Sequence, residues 1–229
     1  APRGPARAGE GPVAGSARVG SNRGDGSVCI PGATAPQNMV DNEPAPSETR
    51  PPTAILADIA ARVLTRSTDP EARRKAVADY LQTRLFGPLG MTSMVPEFDR
   101  AGTLIGGSLM HGTARDWARF GEFMRNKGSY RGTQVVPRRW IEFMTQPSPR
   151  SGHYGAQTWL NRDPPEGNDP LFAERGPSSL FALIGHMGQY VLVAPDRRLT
   201  VVRLGHSDSA ERPPMVQELA DIVALYPDR

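Results

Sequence analysis

The chain has 229 residues, of which 38% are hydrophobic and 22% charged, with a formal net charge of +3. This length and apolar content predict one globular domain with a real core and exclude a chain that is disordered throughout. The sequence contains no apolar run of about eighteen residues or more and no signal-like apolar core in its first residues, so neither a membrane span nor an export signal is visible; because it opens on Ala1 rather than Met, a leader removed from this sequence stays an open alternative.

The positive charge lies mainly between residues 101 and 150, where eight Arg or Lys accompany three acidic residues. These charges are spread along predicted helix faces without interleaved aromatic residues, which is typical of a solvated surface rather than a nucleic-acid interface. We therefore predict no nucleic-acid partner. The single Cys29 excludes an internal disulfide, and the Cys and His residues have no zinc-site spacing, so we predict no metal and no cofactor.

Residues 1–52 differ in composition from the rest of the chain. The first fifty contain eight Gly and seven Pro, and no aromatic residue precedes Tyr80. Two interpretations stay open for this segment. It is either a disordered tail, with a chance Arg-Gly-Asp triplet at residues 23–25, or an out-of-frame translation of GC-rich DNA. Residues 53–229 are predicted to be the folded part.

Two helices are predicted first in that folded part. Apolar residues recur at helical spacing from Thr53 to Arg66. Asp69 then provides an N-cap before Pro70 and opens a second helix. We expect this helix to end at Leu85-Phe86, because Gly87-Pro88 and Gly90 follow.

Two more helices follow in the middle of the chain. Thr113 is predicted to cap a strongly amphipathic helix that Gly128 ends, and its apolar side is predicted to face the core. A shorter helix starts at Pro137 and carries Trp140, Ile141 and Met144.

The C-terminal third changes to the two-residue period of strands. Residues 179–184, 189–194 and 199–204 are short β-rich runs separated by Gly or Pro-Asp turns, which predicts an antiparallel meander. A last amphipathic helix with Met215 and Leu219 can cover one face of that sheet. Helices segregated from an antiparallel sheet make the predicted fold class α+β.

Four segments in order resemble the beta-lactamase-related serine hydrolases, a family that includes class C beta-lactamases, D-alanyl-D-alanine carboxypeptidases, esterases and 6-aminohexanoate-dimer hydrolase. They are R-L-F-G-P-L-G-M-T-S-M from Arg84, G-G-S-L-M-H-G-T-A-R-D-W-A-R-F-G from Gly106, Y-G-A-Q-T-W-L from Tyr154 and G-H-M-G-Q-Y from Gly185. The resemblance covers residues 53–226. It implies a beta-lactamase/transpeptidase-like fold, an antiparallel sheet flanked by helices, here incomplete on its N-terminal side.

The resemblance also implies acyl transfer through a serine ester. In that family the Ser of a Ser-x-x-Lys motif attacks a carbonyl, and a third motif lies on an edge strand. Here the third motif would be His186-Met187-Gly188. His186 would hydrogen-bond to the proton-handling network or the substrate, Gly188 would allow close approach of the acyl group, and the backbone N–H of Gln189 would bind the oxyanion. Without the flanking motifs, His186 would be read as a histidine with no chemical role.

The substrate side of the site would include Tyr154, Trp159 and Tyr190. For Tyr154 and Trp159, packing in the core is an equally good interpretation. Ser108 is interpreted as structural, because no strand-to-helix elbow or general base accompanies it. Asp116 and Arg119, three residues apart on a helix, predict an ion pair rather than an acid–base couple.

Two motifs of the family are absent. The lysines Lys75 and Lys127 have Ala72 and Met124 three residues before them, so no Ser-x-x-Lys exists, and no Tyr-x-Asn type triplet precedes Thr53. Loss of an upstream block explains both absences most simply. Two function classes follow: a serine hydrolase acting on an amide, ester or lactam of a small acyl or peptide-like substrate, inactive as given, or a non-catalytic ligand-binding remnant. Many relatives are exported, but the compartment of this chain is not indicated.

Overall fold

The computed structural model describes residues 28–30, 52–107, 109–162 and 171–228. Apart from residues 28–30 and 52, the segment predicted to be disordered or out of frame lies outside these ranges, and its interpretation stays a prediction. The helices are Pro52–Leu64 (α1), Pro70–Leu81 (α2), Gly87–Leu89 (α3), Ala114–Arg125 (α4), Arg138–Met144 (α5) and Arg212–Ala224 (α6). The strands are Val28–Ile30 (β1), Val95–Pro96 (β2), Met110–Gly112 (β3), Ser129–Tyr130 (β4), Thr133–Gln134 (β5), Trp159–Leu160 (β6), Phe181–Gly185 (β7), Gln189–Ala194 (β8) and Leu199–Arg203 (β9).

The main sheet is antiparallel and has the strand order β6-β7-β8-β9. The predicted meander of β7, β8 and β9 is therefore confirmed, and the short strand β6 pairs with β7 at its edge. Each strand pairs with the next one in sequence; residues 186–188 connect β7 to β8 and residues 195–198 connect β8 to β9, whereas residues 161–180 connect β6 to β7. Two smaller sheets, β1-β3-β2 and the hairpin β4-β5, complete the strand pairing of the described residues.

A helix covers each face of the main sheet. Strand β8 shows this by its two-residue period, since successive side chains point to opposite faces. Val191 and Val193 pack in one core cluster with residues of α4, whereas Tyr190, Leu192 and Ala194 pack in a second cluster with residues of α6. All six residues of β8 are buried. This arrangement of helices and antiparallel sheet confirms the α+β class.

The helical segment that begins with α2 runs further than predicted. Asp69 caps α2 by accepting a hydrogen bond of 2.8 Å from the backbone N–H of Ala72. A π-helical stretch, Gln82–Phe86, then leads directly into α3, so the prediction of an end at Leu85-Phe86 was wrong. Pro88, the second residue of α3, lies near the end of this continuous helical segment and supplies no N–H to the turn before it.

Gly90 ends this segment in the left-handed conformation, with φ of +65°. The N–H of Met91 donates to the carbonyl of Phe86 at 2.8 Å, and that of Gly90 donates to Gly87 at 3.0 Å. This is the Schellman pattern of a glycine-terminated helix. Phe86, Leu89 and Met91 are buried, so the extra turn contributes to the core.

Helix α4 has the predicted cap and approaches the sheet closely. Thr113 is its N-cap, and Trp117, Phe123 and Met124 are buried on its inner face. A Cβ placed on Gly121 would lie 2.5 Å from Cγ2 of Thr200 on β9. Glycine at this position therefore lets the helix backbone approach the sheet. Helix α5 also forms where predicted, with Ile141 buried.

Helix α1 buries alanines and exposes its larger apolar residues. Ala57 and Ala61 are 8% and 0% exposed, whereas Ile55, Leu56, Ile59 and Val63 are 49%, 59%, 51% and 79% exposed. The apolar stripe seen in the sequence is thus an unpartnered surface of the described residues. None of the helices described is both long enough and apolar enough to cross a membrane.

Candidate functional site

The His186-Met187-Gly188 segment forms the connection between β7 and β8. Gly185 pairs with Gln189 across the hairpin, which leaves these three residues as the turn. The turn joins two inner strands of the main sheet, since β6 and β9 are the outer ones. The sequence motif predicted for a strand therefore lies at one end of the sheet, on a backbone loop.

Solvent exposure changes along this turn and into the start of β8. His186 and Met187 are exposed, and His186 makes no side-chain hydrogen bond to another described residue. Gly188 and Gln189 are buried. Met187 and Gly188 both have positive φ, at +57° and +84°. For methionine this left-handed conformation costs about 1 kcal/mol, so the surroundings must hold it.

Polar groups of residues 203–207 hold the turn through hydrogen bonds. The carbonyl of Met187 accepts a hydrogen bond of 2.9 Å from the N–H of Ser207. The carbonyl of Gly188 accepts one of 2.7 Å from Nη1 of Arg203. The side-chain amide of Gln189 donates to the carbonyl of Gly205 at 2.6 Å and accepts from its N–H at 2.9 Å. Both carbonyls of the left-handed residues are therefore fixed.

Fixed carbonyls determine where the neighbouring N–H groups point. A trans peptide holds its C=O and N–H on opposite sides. Because the carbonyls of Met187 and Gly188 point toward residues 203–207, the N–H groups of Gly188 and Gln189 point away from them. The peptides of the turn therefore keep one orientation, which is what a preorganised hydrogen-bond donor requires.

Arg203 and Ser207 occupy the space next to Gly188. A Cβ on Gly188 would lie 2.9 Å from Nη1 of Arg203 and 3.3 Å from Cβ of Ser207. The absence of a side chain at Gly188 leaves room for the guanidinium of Arg203, and the expectation that Gly188 also allows close approach of an acyl group stays a prediction. Sequence reasoning missed Arg203, although a charged residue that ends the apolar strand β9 was a visible signal.

The aromatic residues predicted for the substrate side lie around β6. The ring centroids of Tyr154 and Trp159 are 5.0 Å apart in an edge-to-face contact, and His153 stacks on Trp159 at 6.0 Å. Burial raises the pKa of Tyr154 to about 12, so its phenol stays protonated at neutral pH. Tyr190 is 3% exposed and packs in the cluster under α6, together with the half-buried Trp159.

A groove of about 460 Å³ lies beside the turn, between the segment after β9 and α6. Arg203 and Ser207, which bind the turn, also line this groove, with His206 and Met215. None of the six residues predicted for the site lines it.

Two solved structures are similar to the chain at probability 1.00. One, from Bacillus anthracis, is assigned as a 6-aminohexanoate-dimer hydrolase; it is 18% identical with a TM-score of 0.50 over 71% of this chain. The other is a beta-lactamase from Mycobacterium bovis, 16% identical with a TM-score of 0.51 over 68% of this chain. The chain has a beta-lactamase-like fold.

The chain covers only part of these beta-lactamase-related structures. It spans 45% of the Bacillus anthracis chain and 60% of the Mycobacterium bovis chain. No protein-family model and no curated protein matches its sequence.

Within this beta-lactamase-related fold, Asp116 is structural. It is 2% exposed, pairs with Arg119 as predicted, and accepts hydrogen bonds from the backbone N–H and the hydroxyl of Ser93 at 2.8 and 2.6 Å. Burial alone would raise the pKa of Asp116, but the bonds from Ser93 and Arg119 outweigh it and hold the pKa below its ordinary value. The other serine considered, Ser108, lies outside the described residues.

The histidines are dispersed over the fold. His111 on β3 contacts Glu97 at 2.6 Å, His153 stacks on Trp159, and His206 lies at the groove. The described residues bring no three metal-ligating side chains together.

Proposed function

We propose that the chain supplies the C-terminal part of a beta-lactamase-related serine hydrolase domain. The intact domain would cleave an amide, ester or lactam bond in a small acyl or peptide-like substrate. The observation that carries the proposal is the His186-Met187-Gly188 turn. Hydrogen bonds to residues 203–207 fix its carbonyls, so the N–H groups of Gly188 and Gln189 point away from those residues. The fold and the four sequence motifs support it.

The proposed chemistry proceeds through a serine ester. A serine hydroxyl attacks the carbonyl carbon, and its proton passes to a base. The base returns this proton to the leaving nitrogen or oxygen as the bond breaks; the amine or alcohol departs, or in a lactam stays attached to the acyl group, and water then hydrolyses the acyl-enzyme to the acid and free serine. In this chain the N–H of Gln189 would bind the oxyanion of each tetrahedral intermediate. His186, exposed beside it, would contact the substrate or the proton-handling groups. Tyr154, Trp159 and Tyr190 would border the acyl group.

The sequence has no Ser-x-x-Lys motif, and on the proposed function the serine nucleophile belongs to a part of the domain outside this sequence. We expect the chain to form no covalent adduct with a fluorescent penicillin or a fluorophosphonate, as read by in-gel fluorescence and intact mass. A labelled serine would contradict the fragment interpretation. Thermal stabilisation by an acyl or peptide-like ligand without labelling would instead favour the alternative, a non-catalytic binding remnant.

The encoding DNA decides between these alternatives independently. We expect the bases for residues 1–60 and several hundred upstream bases to contain, in another frame, a Ser-x-x-Lys and a Tyr-x-Asn type motif that join the present frame near Thr53. The protein expressed from that frame should hydrolyse a chromogenic ester or lactam, and the His186→Ala variant should do so more slowly. If no frame contains both motifs, the hydrolase proposal fails.

A further inference from the structure

Met187 has a backbone conformation that a methionine does not favour. It is a non-glycine residue at φ +57°, directly before Gly188 at φ +84°. Glycine adopts positive φ without strain, but a methionine there costs about 1 kcal/mol or more, which surrounding contacts must offset. The contacts that do so must come from outside the turn.

Arg203 contributes the central contact. Its Nη1 donates to the carbonyl of Gly188 at 2.7 Å and to that of Gly205 at 2.6 Å, and its Nη2 donates to Oγ of Ser207 at 2.6 Å. The guanidinium thus links the turn to the segment that follows β9. Only the planar fork of arginine supplies several donors in fixed directions from one side chain.

Arg203 is itself closely enclosed. Cβ atoms placed on Gly188 and Gly205 would lie 2.9 and 3.2 Å from its guanidinium. Two glycines therefore leave the space that this guanidinium fills. Ser207, which accepts from Arg203 through its hydroxyl and donates to Met187 through its N–H, is 5% exposed.

We propose that Arg203 is a positioning residue for the active-site turn. It holds the carbonyl of Gly188 toward residues 203–207 and so fixes the orientation of the peptide that joins Gly188 to Gln189, the residue proposed to bind the oxyanion. Gln189 and Ser207 secure the same geometry through Gly205 and Met187. The catalytic meaning of this role rests on the proposed hydrolase function, whereas the structural effect can be measured in the chain as it is.

The test compares Arg203→Met with Arg197→Met by amide NMR and hydrogen exchange. Arg197 is a matched control, because it donates to a backbone carbonyl, that of Val223, at 2.7 Å and lies by the opposite end of β8. We expect Arg203→Met to shift the amide resonances of Met187 and Gly188 and to speed exchange at Gly205 and Ser207 about tenfold. Arg197→Met should leave all four unchanged.

Arg203→Lys provides the second variant. Lysine can bind the carbonyl of Gly188 but cannot hold three acceptors in the arginine geometry, so we expect partial restoration of the Gly188 resonance and continued fast exchange at Gly205. If Arg203→Met does not fold, this variant decides alone. Wild-type resonances and exchange in either variant would overturn the positioning role.

The outcomes for Arg203 and for the hydrolase proposal are separable. Unchanged exchange in the Arg203 variants would remove the positioning role and leave the hydrolase proposal standing. Absence of a nucleophile in every reading frame would remove the hydrolase proposal, while a loosened turn would still establish what Arg203 holds in place.

Discussion

The carboxylate of Asp116 is the most deeply buried acidic group among the described residues, and its hydrogen bonds determine how stability depends on pH. Its pKa in the folded protein is lowered, so its contribution is fully present above the unfolded pKa, near 3.9, and is lost as pH falls through the folded value. We expect urea unfolding to show the free energy of unfolding decreasing below about pH 4.

Asp116→Asn tests this assignment. Asparagine keeps one oxygen, so its amide nitrogen displaces either the two bonds from Ser93 or the one from Arg119, and the charge is lost; we expect a loss of about 1–3 kcal/mol at pH 7 and a flatter profile in acid. Glu71→Gln is the control, since Glu71 is 74% exposed in its pair with Arg74. An equal loss in both variants would show that burial of Asp116 does not matter.

The left-handed Met187 gives a second prediction at this scale. Glycine removes strain of about 1 kcal/mol but adds a similar entropy to the unfolded chain, so Met187→Gly should be about as stable as the wild type. Met187→Ile, with a β-branched side chain in the same backbone conformation, should lose about 1–2 kcal/mol. Equal midpoints for the two variants in urea would mean that the turn is not held at positive φ.

The packing of α4 on the sheet depends on Gly121. Alanine raises helix propensity by up to about 1 kcal/mol, but its methyl group would lie 2.5 Å from the stiff side chain of Thr200. We expect Gly121→Ala to be destabilised overall by about 1–2 kcal/mol in thermal unfolding, because overpacking outweighs propensity.

Gly152→Ala is the control for this helix contact. A Cβ on Gly152 meets no atom within 4 Å and its φ is not positive, so we expect no loss. If Gly121→Ala proved more stable than the wild type, α4 would have room to move away from β9.

Sequence reasoning located elements well where the signal was local. Thr113 and Asp69 act as the predicted caps because capping depends on residues within one turn. The end of the second helix was mispredicted because tertiary burial of Phe86 and Leu89 favours another turn beyond Gly87. The motif His186-Met187-Gly188 was found from sequence, but its contacts with Arg203 were not, since they form only after two hairpins have folded.

At the scale of the whole molecule, the exposed apolar face of α1 is the feature that most favours self-association. Ile55, Leu56, Ile59 and Val63 form a contiguous stripe with no described partner, and such surfaces favour association. We expect sedimentation equilibrium to show concentration-dependent association and thermal unfolding to be broad. A sharp, reversible transition of a monomer would contradict this expectation.

Ile59→Lys should weaken the association, because it places a charge in the centre of the stripe. Ala60→Lys adds the same charge to the same helix at an exposed position beside it and serves as the control. Equal weakening in both variants would indicate that net charge, rather than the α1 face, controls association.

The order β6-β7-β8-β9 has a consequence for how the chain folds. The hairpins β7-β8 and β8-β9 close only short loops, and α6 is the next element after β9. Low contact order favours rapid formation, whereas docking of α4 on β8 and β9 joins distant parts of the chain. We expect pulsed hydrogen exchange during refolding to protect Val191 and Val193 before residues of α1 and α2. After synthesis on a ribosome, the main sheet would then assemble first, in a time on the order of milliseconds, and the helices synthesised before it would pack on it afterwards.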